Sequence, residues 1–210
     1  MSGTGLAIVE CRWWEHGNDS VRPLFETLAG IVEDNPHDVR YDMFADRSSL
    51  EAIIGTVADA EHYHTLYIAS HGNQSELGGV GGARISRTEL RNAFRNKNTD
   101  GNIIGIYFGS CLIGNVDNAA FFLEGTNLMW IAGYKESVDW IDSSAIDMIF
   151  WSKYLHERKR NRSRRRNKKS EIDMVLHASK EMKNLVPNVF TQMGFNIYQR
   201  SAAGSIVGVW

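Results

Sequence analysis

Two residues of this chain have the chemistry and the setting of a nucleophile and its base. "NIIGIYFGSC" (102–111) is an apolar run that stops at Cys111, and "TLYIASHG" (65–72) is a second that stops at His71-Gly72. Each run has the length of a strand buried on both faces. A free thiol is mostly protonated at neutral pH; a nearby imidazole favours the thiolate and can then protonate a leaving amine. Gly72 has no Cβ, so its N–H can point into a cleft beside the N–H of Cys111, and the two are the expected oxyanion donors. Gly109 and Gly114 bracket the cysteine and are expected to let a substrate chain approach.

That chemistry requires the two runs to be neighbours in one sheet, and the rest of the chain supplies such a sheet. "LAIVEC" (6–11), "DVRYDMFA" (38–45), "TLYIAS" (65–70), "IIGIYFG" (103–109) and "LMWIAGY" (128–134) read as strands. Between them fall stripes at helical spacing: Val21 to Val32, Leu50 to Ala58, a helix opened by the capping box "SRTE" (86–89), and a short one near Asp117 to Glu124. Ala145 to Leu155 and Ile172 to Leu185 mark two further helices, and "FNIYQR" with "SIVGVW" close the chain as strands. Alternating strands and helices imply an α/β three-layer sandwich, a mainly parallel sheet with helices on both faces. Functional groups of such sheets collect at the carboxyl ends of the strands, where both Cys111 and His71 fall.

The bulk numbers fit one folded domain over residues 1–210: 43% of residues are apolar and only 3 are Pro. No apolar run reaches the ~18 residues of a membrane span, and the first residues lack the pattern of a signal peptide, so a soluble cytoplasmic protein is expected, with no membrane partner. Two cysteines give no disulfide framework, and Cys11 reads as a small buried hydrophobe. The net charge of −2 hides an asymmetry, because "RKRNRSRRRNKK" (158–169) holds 9 of the 23 Lys and Arg. Such a run predicts an exposed, mobile loop.

A hydrophobic strand ending in His-Gly, followed by one ending in Cys, resembles the caspase-like cysteine peptidases: caspases, metacaspases, separases, gingipains and the bacterial CHAT proteases. The segment "LMWIAGYKESVDWIDSSAIDMIFWSKYL" (128–155) is most similar to the CHAT branch. The resemblance implies His71 as general base and acid, Cys111 as nucleophile, and Gly72 with Cys111 as oxyanion hole, with no metal or cofactor. It also implies a protein substrate, and bacterial members of this branch are linked to defence and cell death, with a partner protein as target or activator. The caspase signature Gln-Ala-Cys-x-Gly is absent, and position 109 holds Gly where metacaspases carry an Asp. The loop after the fifth strand is therefore expected to line the pocket before the scissile bond, with Asp139 or Asp142 pairing a basic side chain. Asp142 also fits a helix N-cap.

Trp13-Trp14 suits a substrate groove or packing on the body equally well. "LGGVGGAR" (77–84) lacks the Lys-Ser/Thr of a P-loop and reads as a hairpin or loop beside the cleft. His62 and His64 lack metal-ligand spacing. Two rivals to the peptidase remain: an inactive binding module on the same fold, and a nucleic-acid binder using residues 158–169, disfavoured by the acidic remainder and by the lack of interleaved aromatics.

Overall fold

The computed structural model describes residues 4–82, 84–201 and 203–210; Met1 to Gly3 and Ala83 of the Gly-rich segment lie outside them. A seven-stranded sheet forms the middle layer. Its strands are β1 (Leu6–Cys11), β2 (Arg40–Phe44), β3 (Thr65–Ala69), β7 (Gly105–Gly109), β8 (Trp130–Tyr134), β9 (Phe195–Arg200) and β10 (Ile206–Gly208). They run in the order β10-β9-β8-β7-β3-β1-β2. The five from β8 to β2 are parallel; β9 and β10 pair antiparallel at one edge. The short strands β4 (His71–Gly72), β5 (Glu76–Gly78) and β6 (Arg84–Ser86) make a separate small sheet, which includes the expected hairpin.

Burial explains the strand sequences. β1, β3 and β8 are buried at every position, and they read as unbroken apolar runs because helices cover both faces. Helices α2 (Arg47–Ala58), α3 (Arg87–Lys97) and α4 (Val116–Gly125) pack on one face around Ile54, Leu90, Phe94 and Phe122. Helices α1 (Arg22–Glu33), α5 (Trp140–Ser163) and α6 (Glu171–Leu185) pack on the other around Phe25, Trp151, Tyr154 and Val175. A single turn, α7 (Val189–Gln192), precedes β9. The capping box at Ser86 and Glu89 forms as expected, and the pairs Asp46–Ser49 and Ser170–Asp173 do the same for α2 and α6.

Only the second half of the basic run is the exposed loop that its composition suggests. Residues 158–163 continue α5, and the following turn is held at both ends: Asn161 Nδ2 donates to the Lys169 carbonyl at 2.9 Å, and Lys169 N–H returns to Asn161 Oδ1 at 2.8 Å. Six of the nine cations have carboxylate partners. Arg158 meets Glu171 at 3.1 Å, Arg162 meets Glu33 on α1, Lys159 meets Asp34, and Arg160, Arg164 and Lys169 converge on Glu157 at 2.9–3.2 Å. Glu157 is nearly inaccessible. Burial alone would push its carboxyl up, but Lys169, His177 and Arg164 outweigh that and hold it below the usual range. The run therefore clasps α5 to α1 and α6. It leaves only Arg165, Arg166 and Lys168 as exposed cations without a carboxylate among the described residues. Replacing Glu157 by Ala should cost about 2–4 kcal/mol in urea unfolding, because it strands several half-buried cations at once. A loss under 0.5 kcal/mol would show that the clasp is ornamental.

Candidate functional site

The site forms where β1, β3, β7 and β8 end on one side of the sheet. The chain runs outward from β1 to β2, then crosses back to β3, so the strand order reverses at β1 and opens a crevice there. β3 and β7 pair in register, Ala69 opposite Gly109, which brings the two exits to the same height. Immediately beyond, Ser70 Oγ and Ser110 Oγ hydrogen-bond at 3.1 Å, both buried. His71-Gly72 and Cys111 follow side by side. A Cβ on Gly72 would sit 2.6 Å from the Cys111 carbonyl oxygen and 3.1 Å from Ser110 Cβ, so only Gly allows this approach.

His71 and Cys111 line one cleft of about 270 Å³, with Trp13, Tyr67, Val138 and Trp140 among its walls. Cys111 is half-buried and His71 exposed. They are not hydrogen-bonded to one another. The N–H of Val138 points at Cys111 Sγ from 3.4 Å, and the thiol can return to the Val138 carbonyl at 3.6 Å. The His71 ring meets Trp13 edge-on at 6.0 Å between centroids. Such contacts are often loose before substrate fills a site.

The N–H groups of Gly72 and Cys111 lie outside the backbone ladders. Asn73 N–H donates to the Glu76 carbonyl at 3.0 Å. Because bonded and non-bonded pairs alternate in an antiparallel ladder, the next pair, Gly72–Leu77, is non-bonded and leaves the Gly72 N–H off the ladder. The N–H of Cys111 has no hydrogen-bond acceptor among the described residues. Leu112 then turns the chain away with φ +64°, a left-handed conformation costly for a bulky residue. It is secured by its N–H to the Glu136 carbonyl and by Asn115 Nδ2 on its own carbonyl.

A side chain at either bracketing glycine would strike the protein itself. A Cβ on Gly109 would fall on the Tyr67 hydroxyl, and one on Gly114 on the backbone of Gly133 and Tyr134. Gly114 N–H donates to the Tyr134 carbonyl, docking the cysteine loop onto the end of β8. The helix cap also differs from expectation. Asp139, not Asp142, caps α5, its Oδ1 accepting from the N–H groups of Ile141 at 2.8 Å and Asp142 at 3.3 Å. Asp139 borders the cleft, whereas Asp142 lines an adjoining groove of about 730 Å³ floored by Val138, Ile146 and Val189. Trp13 resolves to the cleft: it packs on Trp140 at 5.6 Å, and its Nε1 donates to Glu10 Oε1. Cys11 is buried, its thiol pushed up by desolvation and by Glu10, as an inert packing residue would be.

Two buried acids went unread in the sequence. Glu10, at the end of β1, accepts from Trp13, Val21 N–H, Ser20 and Tyr41 at 2.5–3.2 Å and so fixes one wall of the cleft. Asp147 of α5 accepts from the hydroxyls of Tyr67 at 2.5 Å, Tyr134 at 2.6 Å, and Tyr107, one from each of three adjacent strands. The signal was an acid inside an apolar helical stripe and a tyrosine in each of three buried strands. Tyr67 is in turn part of the cleft. No known family model and no curated protein matches this chain.

Burial pushes the Asp147 carboxyl up to about 6 despite its three donors. A carboxyl raised in the folded state binds its proton before the unfolded chain does, so folding gains stability as pH falls from about 6 towards 4. The stability difference between wild type and Asp147→Asn should therefore change in the wild type's favour by roughly 2 kcal/mol over that interval, measured by urea unfolding at each pH. A difference that stays constant would show that Asp147 titrates normally.

Proposed function

We propose that the chain is a cysteine endopeptidase in which Cys111 is the nucleophile and His71 the general base and acid. The observation that carries this is the contact of Gly72 with the Ser110–Cys111 backbone, which puts imidazole and thiol on one cleft at the carboxyl end of the sheet. The resemblance to caspase-like peptidases, and to their CHAT branch in particular, supports this reading through the two strand-end motifs and their order along the chain.

In the reaction, His71 takes the Cys111 proton and the sulfur attacks the carbonyl carbon of the scissile bond. The N–H groups of Gly72 and Cys111 hold the oxygen as it gains charge. The protonated imidazole gives its proton to the departing amine, leaving an acyl group on sulfur. His71 then takes a proton from water, the hydroxide displaces the thiolate, and the acid product leaves. The Val138 N–H offers the sulfur a partner whenever it carries charge. The substrate in this reading is a specific protein, met in the cytoplasm, and a regulatory partner that brings His71 off Trp13 and towards the thiol would activate the enzyme. A role in bacterial defence or cell death follows from the resemblance alone. Nucleic-acid binding through residues 158–169 loses support because six of the nine cations there are already paired. The inactive-module reading would require a cleft that binds but does not cut.

Cys111→Ala and His71→Ala should each lower cleavage of a library of denatured proteins by at least ~10³-fold, with unchanged far-UV circular dichroism. The double variant should be no worse than either single one, since the pair acts as one chemical unit. Cys11→Ser should cleave like wild type. Activity retained in both Cys111→Ala and His71→Ala would exclude the pair.

A further inference from the structure

The cleft has two sides, and their lining assigns them. The amine side of a scissile bond must reach His71, which protonates it, while the acyl side must lie over the sulfur. The shallow recess of about 170 Å³ beside His71, Gly72 and Arg84 lacks Cys111 and suits the departing amine. The 270 Å³ cleft contains Cys111 and takes the side chain on the acyl side.

That cleft is walled by Trp13, Val21, Tyr67, Ala69, Val138 and Trp140, with the small, uncharged side chains of four serines between them. Among the described residues no Lys or Arg lines it, so a carboxylate entering it would lose water without a counter-ion. Its only bordering carboxylate is Asp139, exposed, with one oxygen already committed to the first turn of α5. A solvated, half-occupied carboxylate offers a cation little in return for desolvation. Position 109 cannot supply a second one, because the Tyr67 hydroxyl fills the place of its Cβ. The Asp147 carboxylate behind Tyr67 is sealed off by its three hydroxyl donors.

Resting on the peptidase reading, we infer that the cleft selects a bulky uncharged side chain, aromatic or large aliphatic, immediately before the scissile bond. Trp13 and Trp140 are its specificity-determining residues. Their mutual contact closes the wall between the β1 loop and α5, and a flat or branched apolar group gains most by packing against it. This replaces the basic preference that Asp139 and Asp142 suggest from sequence.

The test uses the full chain and peptidyl chloromethyl ketones bearing Phe, Leu, Ala, Arg or Asp next to the warhead, with mixed residues elsewhere. Alkylation of Cys111 is followed by intact-mass spectrometry, with Cys111→Ala as the control for Cys11. Phe and Leu reagents should react at least ~10-fold faster than Ala, Arg or Asp reagents. Ser144→Phe, which narrows the cleft from α5, should move the preference from Phe and Leu to Ala; a preference unchanged by it would also overturn the assignment. Fastest reaction with Arg or Asp, or equal rates for all five, overturns the pocket assignment and leaves the peptidase reading standing. Alkylation of Cys111 by iodoacetamide but by no peptidyl reagent overturns both.

Discussion

The parallel pairing of β3 with β7, Ala69 opposite Gly109, is the constraint on which the site depends. Neighbouring strands lie about 4.8 Å apart, and a parallel ladder carries their exits in the same direction at the same height. Everything after that is local steering. The Ser70–Ser110 hydrogen bond keeps the exits together for one more residue. The missing Cβ of Gly72 then lets the two backbones touch, and the left-handed Leu112 with Gly114 turns the cysteine loop away onto β8. A register slip of one residue would turn Cys111 to the opposite side of its strand and remove it from His71 altogether.

Below that surface the sheet is braced by acids that reach across it. Asp147 ties β3, β7 and β8 to α5 through one tyrosine from each strand, and Glu10 ties β1 to β2, to the start of α1 and to Trp13. A buried carboxylate is costly, and each here is offset by several donors at short range. The arrangement suits a cleft whose floor and walls must hold to a fraction of an ångström, because a misplaced nucleophile loses orders of magnitude in rate. The same principle recurs at the far end of α5, where Glu157 collects three cations and the basic turn becomes part of the fold.

What the sequence made legible was periodic or local. Buried strands announce themselves as apolar runs, the Ser86–Glu89 box as a four-residue pattern, and the shared cleft of His71 and Cys111 as two motifs at neighbouring strand ends. What stayed hidden depended on distant partners. Asp147 lies 80 residues from Tyr67, and Arg162 lies 129 from Glu33. Charge counting within a window of twelve residues cannot see those carboxylates, so the run read as loop. The neighbours of Gly109 and Gly114, Tyr67 and the backbone of β8, are invisible until the fold is closed. Asp142 fits a cap by its place in the sequence, and only the backbone shows that α5 begins three residues earlier, at Asp139.

The account stands or falls on whether His71 acts on the Cys111 sulfur across the cleft. The direct measurement is the rate at which iodoacetamide alkylates Cys111 at pH 7 in wild type and in His71→Ala, with the site of modification read by peptide mass spectrometry. The account predicts a rate at Cys111 at least ~10-fold lower in His71→Ala, with Cys11 unreactive in both folded proteins. Equal rates at Cys111 in the two proteins would contradict it, since the imidazole would then do nothing for the thiol it was placed beside.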